Sequence, residues 1–290
     1  VMHYAQEIKE NFLNFRDKNL YYLCIGHFSA HDLQCIGISQ ERLLKWGYFI
    51  YPSQERRTTA IKEDGMLKIC WAGRFIPQKR PEMALQLVRY MYENGIDVEL
   101  SYIGCGVMEE QLKRMTEKWG LMNRVHFLGT MPEWQVREVM REQDCFLFTS
   151  TGWEGWGVVL SEAMSEGVLC IATKTAGSSM ELITDGVNGF LLSEDLEFAK
   201  EKCLEIAQMD HRCWEEMGRK AQHTLENLWN GHAATKSLIS LLKEYEKTGR
   251  LVPRREGICS VASIEPYEEY EDTFFVEDGL REFGIGKLIS

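Results

Sequence analysis

Two glutamates, Glu154 and Glu162, stand eight positions apart in the stretch EGWGVVLSEAM, with Gly155, Trp156 and Gly157 directly after the first. Glycines there let the backbone approach a ligand closely. VVLSEAMSEG predicts a helix beginning around residues 158–159. Its N-terminus, near Val158, offers unpaired N–H groups and a partial positive charge, which suit a phosphate. Glu154 precedes that helix and Glu162 lies about one turn inside it, so the two do not simply stack on one helical face. Carboxylates accept paired hydrogen bonds from vicinal sugar hydroxyls. A ligand long enough to touch both would carry two polyol ends joined by phosphates. Taken alone, Glu162 also reads as a solvated helix residue.

Other loop residues add to the set. WAGRFIPQKRP places Arg74 and Lys79 five positions apart, in a loop bounded by Gly73 and Pro81. Two cations over a helix entrance suit a diphosphate, because arginine supplies a planar fork and lysine a mobile point charge. The alternative is a pair of solvated loop charges. SYIGCGVMEEQL carries Gly104 and Gly106, half of a dinucleotide fingerprint whose third glycine position is Glu109. Close approach of a ligand and a plain tight turn both account for these glycines. In KTAGSSMELITDGVNGFLL, Gly177 through Ser179 offer N–H groups at the entrance of a short helix. Glu181 either faces a ligand or complements the helix dipole in the first turn.

These loops need a scaffold that brings them to one edge. From residue 66, short β-rich runs at 67–73, 98–104, 125–129, 144–150 and 168–173 alternate with helical segments at 81–95, 109–120 and 133–142. The first of these helices opens on Pro81 and gathers Met83, Leu87, Val88 and Met91 on one apolar face. Apolar strands alternating with helices imply an α/β fold, with a Rossmann-like parallel sheet and helices on both faces. Ligands of such sheets bind outside the carboxyl ends of the strands, where the loops described above lie. Residues 1–57 hold a further strand–helix unit (YYLCIG, then HFSAHDLQCIG) and a strand-like WGYFI, and residues 3–18 read as an amphipathic helix. Residues 58–65 read as a polar linker, and three amphipathic helices run from 193 to about residue 247. The tail, 248–290, is acidic and aromatic, with Tyr267, Tyr270, Phe274 and Phe275 set to cross back onto the N-terminal residues or to remain disordered.

The chain has 290 residues, 44% hydrophobic and 27% charged, enough for one or two cores. Its net charge of −11 argues against a nucleic-acid partner. No run approaches ~20 apolar residues, so no transmembrane segment is predicted. Nine cysteines occur without a Cys-x-x-Cys pair or Cys/His cluster, and Cys70, Cys145 and Cys170 sit in apolar runs. They predict reduced core thiols in a cytoplasmic protein. The first residue is Val, which predicts a start inside a longer protein or at an alternative start codon.

The series GRFIPQK, YIGCG, FLG, TSTGWEGWGVVLSEAMSEG and AGSSMELITDGVNGFLL resembles, in that order, retaining glycosyltransferases of the GT-B fold, group 1 (family 4). The resemblance is close over residues 66–193 and looser over 194–247. It implies the C-terminal, nucleotide-sugar-binding half of a GT-B fold, with residues 1–57 a remnant of the acceptor-side domain. It implies transfer of a hexose from a nucleotide-diphosphate sugar to a glycan or lipid-linked acceptor, with retention of configuration, in polysaccharide biosynthesis. Arg74 and Lys79 would neutralise the diphosphate, Glu154 would contact the donor hexose, and Glu162 would hold the ribose hydroxyls. The amides of Gly155, Trp156, Gly157 and Val158 would touch sugar and phosphate. The backbone of Phe127, Leu128 and Gly129 would hold the base, with Gly104, Gly106, Gly177 and Glu181 also at the donor site. The family uses no cofactor and no divalent metal, and no Asp-x-Asp occurs here. A cytoplasmic location, peripheral at the membrane in the full protein, follows from the same resemblance.

Two features depart from the family pattern. Arg80 follows the motif lysine where many relatives have glycine. The N-terminal domain, which supplies the acceptor site and usually a histidine, is represented only by residues 1–57, and neither His27 nor His31 matches that histidine. The chain is then expected to work with a missing N-terminal domain or a separate acceptor-binding chain. A two-carboxylate glycosidase explains Glu154 and Glu162 but not Arg74 and Lys79. A GT-B sugar-nucleotide epimerase and a non-catalytic donor-binding half of a two-chain transferase stand as the alternatives.

Overall fold

The structure, a computed structural model, describes residues 20–26, 28–35, 37–53 and 65–264. The helix expected over 3–18, most of the 58–65 linker, His27 and the tail aromatics from Tyr267 to Phe275 lie outside the described residues. A first unit comprises β1 (Tyr22–Ile25), α1 (Ser29–Cys35) and β2 (Leu43–Trp46), the two strands pairing in parallel. Strands and helices then alternate: β3 (Leu67–Ala72), α2 (Pro81–Glu93), β4 (Val98–Ile103), α3 (Glu109–Lys118), β5 (Val125–Phe127), α4 (Glu133–Arg141), β6 (Cys145–Phe148) and α5 (Val158–Ser165). The series continues through β7 (Leu169–Thr173), α6 (Ser179–Leu182) and β8 (Phe190–Leu192). Three helices close it: α7 (Leu196–Ala207), α8 (His211–Asn227) and α9 (Gly231–Thr248). Each of these last three starts where an Asp or Asn side chain (Asp195, Asp210, Asn230) accepts a first-turn N–H.

Strands β3 to β8 form one parallel sheet in the order β5-β4-β3-β6-β7-β8. The winding direction reverses between β3 and β6, so their loops part there and leave a crevice at the carboxyl edge. Alternation along β3 divides the core. Leu67, Ile69 and Trp71 pack with buried residues of α2, α3 and α7, while Cys70 and Ala72 pack with α5, α8 and α9. All nine cysteines are free thiols, and Cys70, Cys145 and Cys170 are buried, as their apolar runs predict. Among the described residues no helix is long and apolar enough to cross a membrane.

Two strand assignments differ from the sequence pattern. The strand expected at WGYFI begins earlier, at Leu43, where two successive leucines are buried. Beyond Trp46 the apolar side chains pack without a ladder: Phe49 meets Trp46 edge-on at 5.1 Å and stacks on Trp229 at 6.5 Å. The three-residue β8 was not anticipated. Its run is too short to show periodicity, and it is held by a turn in which Asp185 accepts the N–H of Leu191 at 2.9 Å. Past α9 the chain returns to the first unit, where Cys259, Ser260 and Ala262 exchange backbone hydrogen bonds of 2.8–2.9 Å with Leu43 and Lys45.

One buried charge fixes α5 against α4. The Glu166 side chain is 0% exposed. It accepts from Arg137 Nε at 2.6 Å and from Arg141 Nε at 2.8 Å. Arg137 also reaches the carbonyl of Tyr51 and the hydroxyl of Ser165 at 3.2 Å, drawing the segment after β2 onto the same helices. A Glu166→Ala chain would leave both guanidinium groups half-buried without their anion. It is expected to lose about 3 kcal/mol of stability. A fall in the urea midpoint measures this, and an unchanged midpoint would show that the network contributes nothing net.

Candidate active site

The crevice between the β3 and β6 loops is fastened by side chains. Thr149, at the end of β6, accepts from Trp71 Nε1 at 2.9 Å and donates to the carbonyls of Lys79 and Arg80 at 2.9 Å. Gln78 donates from Nε2 to the Trp153 carbonyl at 2.5 Å, and its own carbonyl accepts the Thr151 N–H at 3.0 Å. The loop carrying Lys79 and the loop carrying Glu154 are therefore one assembly.

Within it, the Lys79 ammonium contacts the Glu154 carboxylate, an ion pair with both side chains largely buried. Ser150 Oγ lies 3.4 Å from the same carboxylate oxygen. Burial, helped by the nearby Arg74 cation, pushes the Lys79 amine down to about 8. Contact with Glu154 acts in the opposite sense and favours the ammonium. The Arg74 side chain is exposed, with no hydrogen bond or ion pair among the described residues, while its carbonyl accepts the Ile76 N–H at 2.9 Å. The sequence reading assigns Arg74 and Lys79 to the diphosphate and Glu154 to the hexose; the direct contact between Lys79 and Glu154 is a feature of the fold that their spacing does not reveal.

The backbone sorts the amides into free and engaged. Glu154 N–H bonds Thr151, and Leu160 N–H bonds Gly157, both at 3.0 Å. Between them, the N–H groups of Gly155, Trp156, Gly157 and Val158 have no partner among the described residues. No side chain caps α5, and Gly157 holds the left-handed conformation (φ 77°) that turns the chain into it. A run of free amides at a helix N-terminus is an anion site in waiting. The Trp156 indole is 2% exposed and packed against Trp229 at 5.8 Å, its buried N–H without a partner among the described residues.

The expectation for Gly177 to Ser179 needs correction. Their N–H groups bond the carbonyls of Glu154 and Trp156 at 3.0 Å and of Ala176 at 2.9 Å, so none is offered to a ligand. Any side chain at Gly177 would strike the Gly155 carbonyl, which shows the glycine serving loop-to-loop packing. Glu181 is likewise engaged, its buried carboxylate taking Lys45 Nζ of β2 at 3.0 Å. Gly104 and Gly106 also have a packing duty. Phe75 N–H bonds Cys105, and a side chain at Gly104 would collide with the Gly73 carbonyl.

Glu162 is different. It projects from α5, about 6 Å along the axis from Val158, and no hydrogen bond or ion pair holds its carboxylate among the described residues. Burial raises its pKa, the anions Glu133 and Glu166 add to the rise, and Arg137 opposes it. A half-buried carboxylate left without a donor is prepared to receive hydroxyl hydrogens. On the far side of the crevice, Phe127 stacks on Tyr102 at 5.3 Å, Leu128 N–H bonds the Tyr102 carbonyl, and Gly129 accepts Gly104 N–H, both at 2.8 Å. His31 lies on α1 with its ring 3.7 Å from Cys35 Sγ, a packing position.

Comparison with known proteins supplies the family. Residues 53–217 match the model of the glycosyl transferases group 1. The chain is 27% identical over 191 residues to the putative colanic acid biosynthesis glycosyltransferase WcaL of Salmonella typhimurium, covering 63% of this chain and 47% of that protein. It is 26% identical over 197 residues to the amylovoran biosynthesis glycosyltransferase AmsK of Erwinia amylovora, covering 66% of this chain and 48% of AmsK. The chain thus spans about half the length of these relatives. Among solved structures, Anabaena Alr3699/HepE in complex with UDP and glucose superposes with a TM-score of 0.60 at 23% identity, covering 77% of this chain and 63% of that one. The lipopolysaccharide outer core galactosyltransferase WaaB gives 0.63 at 20% identity, covering 77% and 62%. With the sheet order, the crevice and the match over residues 53–217 in agreement, this chain belongs to the group 1 glycosyl transferases and has the Rossmann-like half of a GT-B fold.

Proposed function

We propose that the crevice holds a nucleotide-diphosphate sugar and that this chain supplies the donor site of a retaining, metal-independent hexosyltransferase. The observation that carries this reading is the run of amides from Gly155 to Val158, partnerless among the described residues, in the same loop as Glu154, whose carboxylate pairs with Lys79 of the neighbouring loop. In this reading the diphosphate lies on those amides beside Arg74 and Lys79. Glu162 receives the ribose hydroxyls, Glu154 stands at the hexose, and the backbone of Phe127–Gly129 meets the base. As the bond from sugar to phosphate breaks, charge gathers on the departing diphosphate. The cations and free amides stabilise that charge more than they stabilise the bound donor. An acceptor hydroxyl attacking from the leaving side, its proton passing to the departing phosphate oxygen, preserves the configuration of an oxocarbenium-like sugar.

The names of WcaL and AmsK support a glycan or lipid-linked acceptor, and a cytoplasmic, membrane-peripheral location goes with it. A second reading stands beside the first, in which the acceptor side comes from a separate domain or chain. In both, residues 1–57 belong to the acceptor side, 58–65 link, 66–247 bind the donor, and 248–290 form the tail.

Nucleoside diphosphate should bind the chain with no added metal. Calorimetry with UDP, GDP and ADP, each with and without EDTA, is the check, and UDP comes first because HepE holds it. Silence from all three with folded protein, or binding abolished by EDTA, would sink the reading. Glu162→Ala is expected to weaken the bound nucleotide by about 1–3 kcal/mol, the usual cost of losing a charged hydrogen-bond partner.

A pH series separates the cation's role from general affinity. With the Lys79 amine pushed down to about 8, the ammonium is present below that pH and is lost above it. Nucleotide affinity should therefore fall between about pH 8 and 9.5, and Lys79→Arg should flatten the fall because a guanidinium keeps its charge. An equal fall in both proteins would exclude Lys79 as its origin.

With the acceptor side present, Glu154→Ala should lower kcat by about 100-fold or more while donor KM moves little, since Glu154 stands at the reacting sugar. A change in KM alone would place it at ground-state binding instead.

A further inference from the structure

We propose that Arg80, although it does not itself touch the donor, is a positioning residue that sets Lys79 through a buried anchor on Glu194. Arg80 is one of two non-glycine residues with positive φ among the described residues, at φ 47°. That conformation crowds any side chain beyond Gly and persists only where surrounding contacts enforce it. The contacts here are specific. The Arg80 guanidinium pairs with Glu194, a carboxylate whose side chain is 4% exposed. A second guanidinium nitrogen lies 3.4 Å from the Glu194 carbonyl. The other carboxylate oxygen of Glu194 accepts from Thr175 Oγ1, in the loop after β7. Arg80 therefore ties the β3 loop to two loops on the opposite side of the crevice.

The backbone at the same place is held a second time. The single hydroxyl of Thr149 spans the carbonyls of Lys79 and Arg80 while accepting from Trp71 Nε1. A residue gripped at its guanidinium and its carbonyl leaves its neighbour little freedom. Lys79, one position earlier, is thereby aimed at Glu154 rather than at solvent. Because its guanidinium is committed to a buried carboxylate, Arg80 is not a phosphate ligand, and its influence passes through Lys79. This inference rests on the donor-site reading above.

A double-mutant cycle on nucleotide affinity tests it, using whichever of UDP, GDP and ADP the unmutated chain binds most tightly. Arg80→Gly keeps the backbone conformation accessible while removing the anchor, and should weaken binding about 10-fold. In a Lys79→Ala background the same substitution should change affinity less than 2-fold, since the group it aims is gone. Glu194→Gln, which leaves the φ of Arg80 untouched, should repeat both results and serves if Arg80→Gly does not fold. An equal loss in both backgrounds would overturn the inference, showing direct phosphate contact or general loosening of the crevice. No loss in either would overturn it as well. If the unmutated chain binds none of the three nucleotides, the donor-site reading itself fails, and the inference with it.

Discussion

A lysine and a glutamate held in contact where two parallel strands part company set the terms for the rest of this molecule. Neither charge would remain in a largely buried crevice alone, because removing an ion from water costs several kcal/mol unless a counter-charge is at hand. The contact between Lys79 and Glu154 is that compensation. It requires the β3 and β6 loops to lie side by side, and the strand order that puts β3 next to β6 is what makes this possible. The hydrogen bonds of Thr149, Gln78 and Trp71 then hold the loops at the separation the pair needs.

From that pair outward, each neighbouring loop either supplies free polar groups or consumes them. The turn into α5 leaves the N–H groups of Gly155–Val158 without partners among the described residues, whereas those of Gly177, Ser178 and Ser179 are all engaged by backbone carbonyls. The difference follows from packing. Gly177 and Ser178 donate to the carbonyls of Glu154 and Trp156 and so back the Glu154 loop, while Ser179 closes its own turn on Ala176. An unsatisfied amide on both sides of one loop would cost more than a single anion site can return.

This division explains what could be read in the sequence. The α/β alternation was legible because buried parallel strands are continuous apolar runs and the helices between them carry one apolar face. Arg74, Lys79, Glu154 and Glu162 stand out in the sequence as charged residues in or beside loops that close apolar strands, and the structure brings Lys79 against Glu154. The inward turn of Gly177–Ser179 was not legible, since glycine and serine at a helix entrance look alike whether their N–H groups face a ligand or another loop. Glu181 was open for a related reason: its partner Lys45 is 136 positions away in the chain, and nothing local announces it. Thr149 was missed outright, as a threonine ending an apolar strand gives no sign that its hydroxyl joins three elements. β8 escaped because three residues are too few to show a period.

The contact between Lys79 and Glu154 also bears on how a donor would be received. Within the crevice each charge satisfies the other. On the donor-site reading a diphosphate brings two or more negative charges to the same ammonium, with the amides of Gly155–Val158 as additional donors. Lys79 then gains a stronger partner, and Glu154 loses part of its own compensation at the moment a hexose hydroxyl arrives to replace it. The carboxylate is thus released toward the sugar only when the phosphate end is filled. A free sugar, lacking the diphosphate, would have to displace Lys79 unaided and would leave the ammonium without a counter-charge. On the donor-site reading, discrimination in favour of the whole donor over its sugar alone would follow from the ion pair, because the two ends of the ligand would exchange partners within a single buried contact.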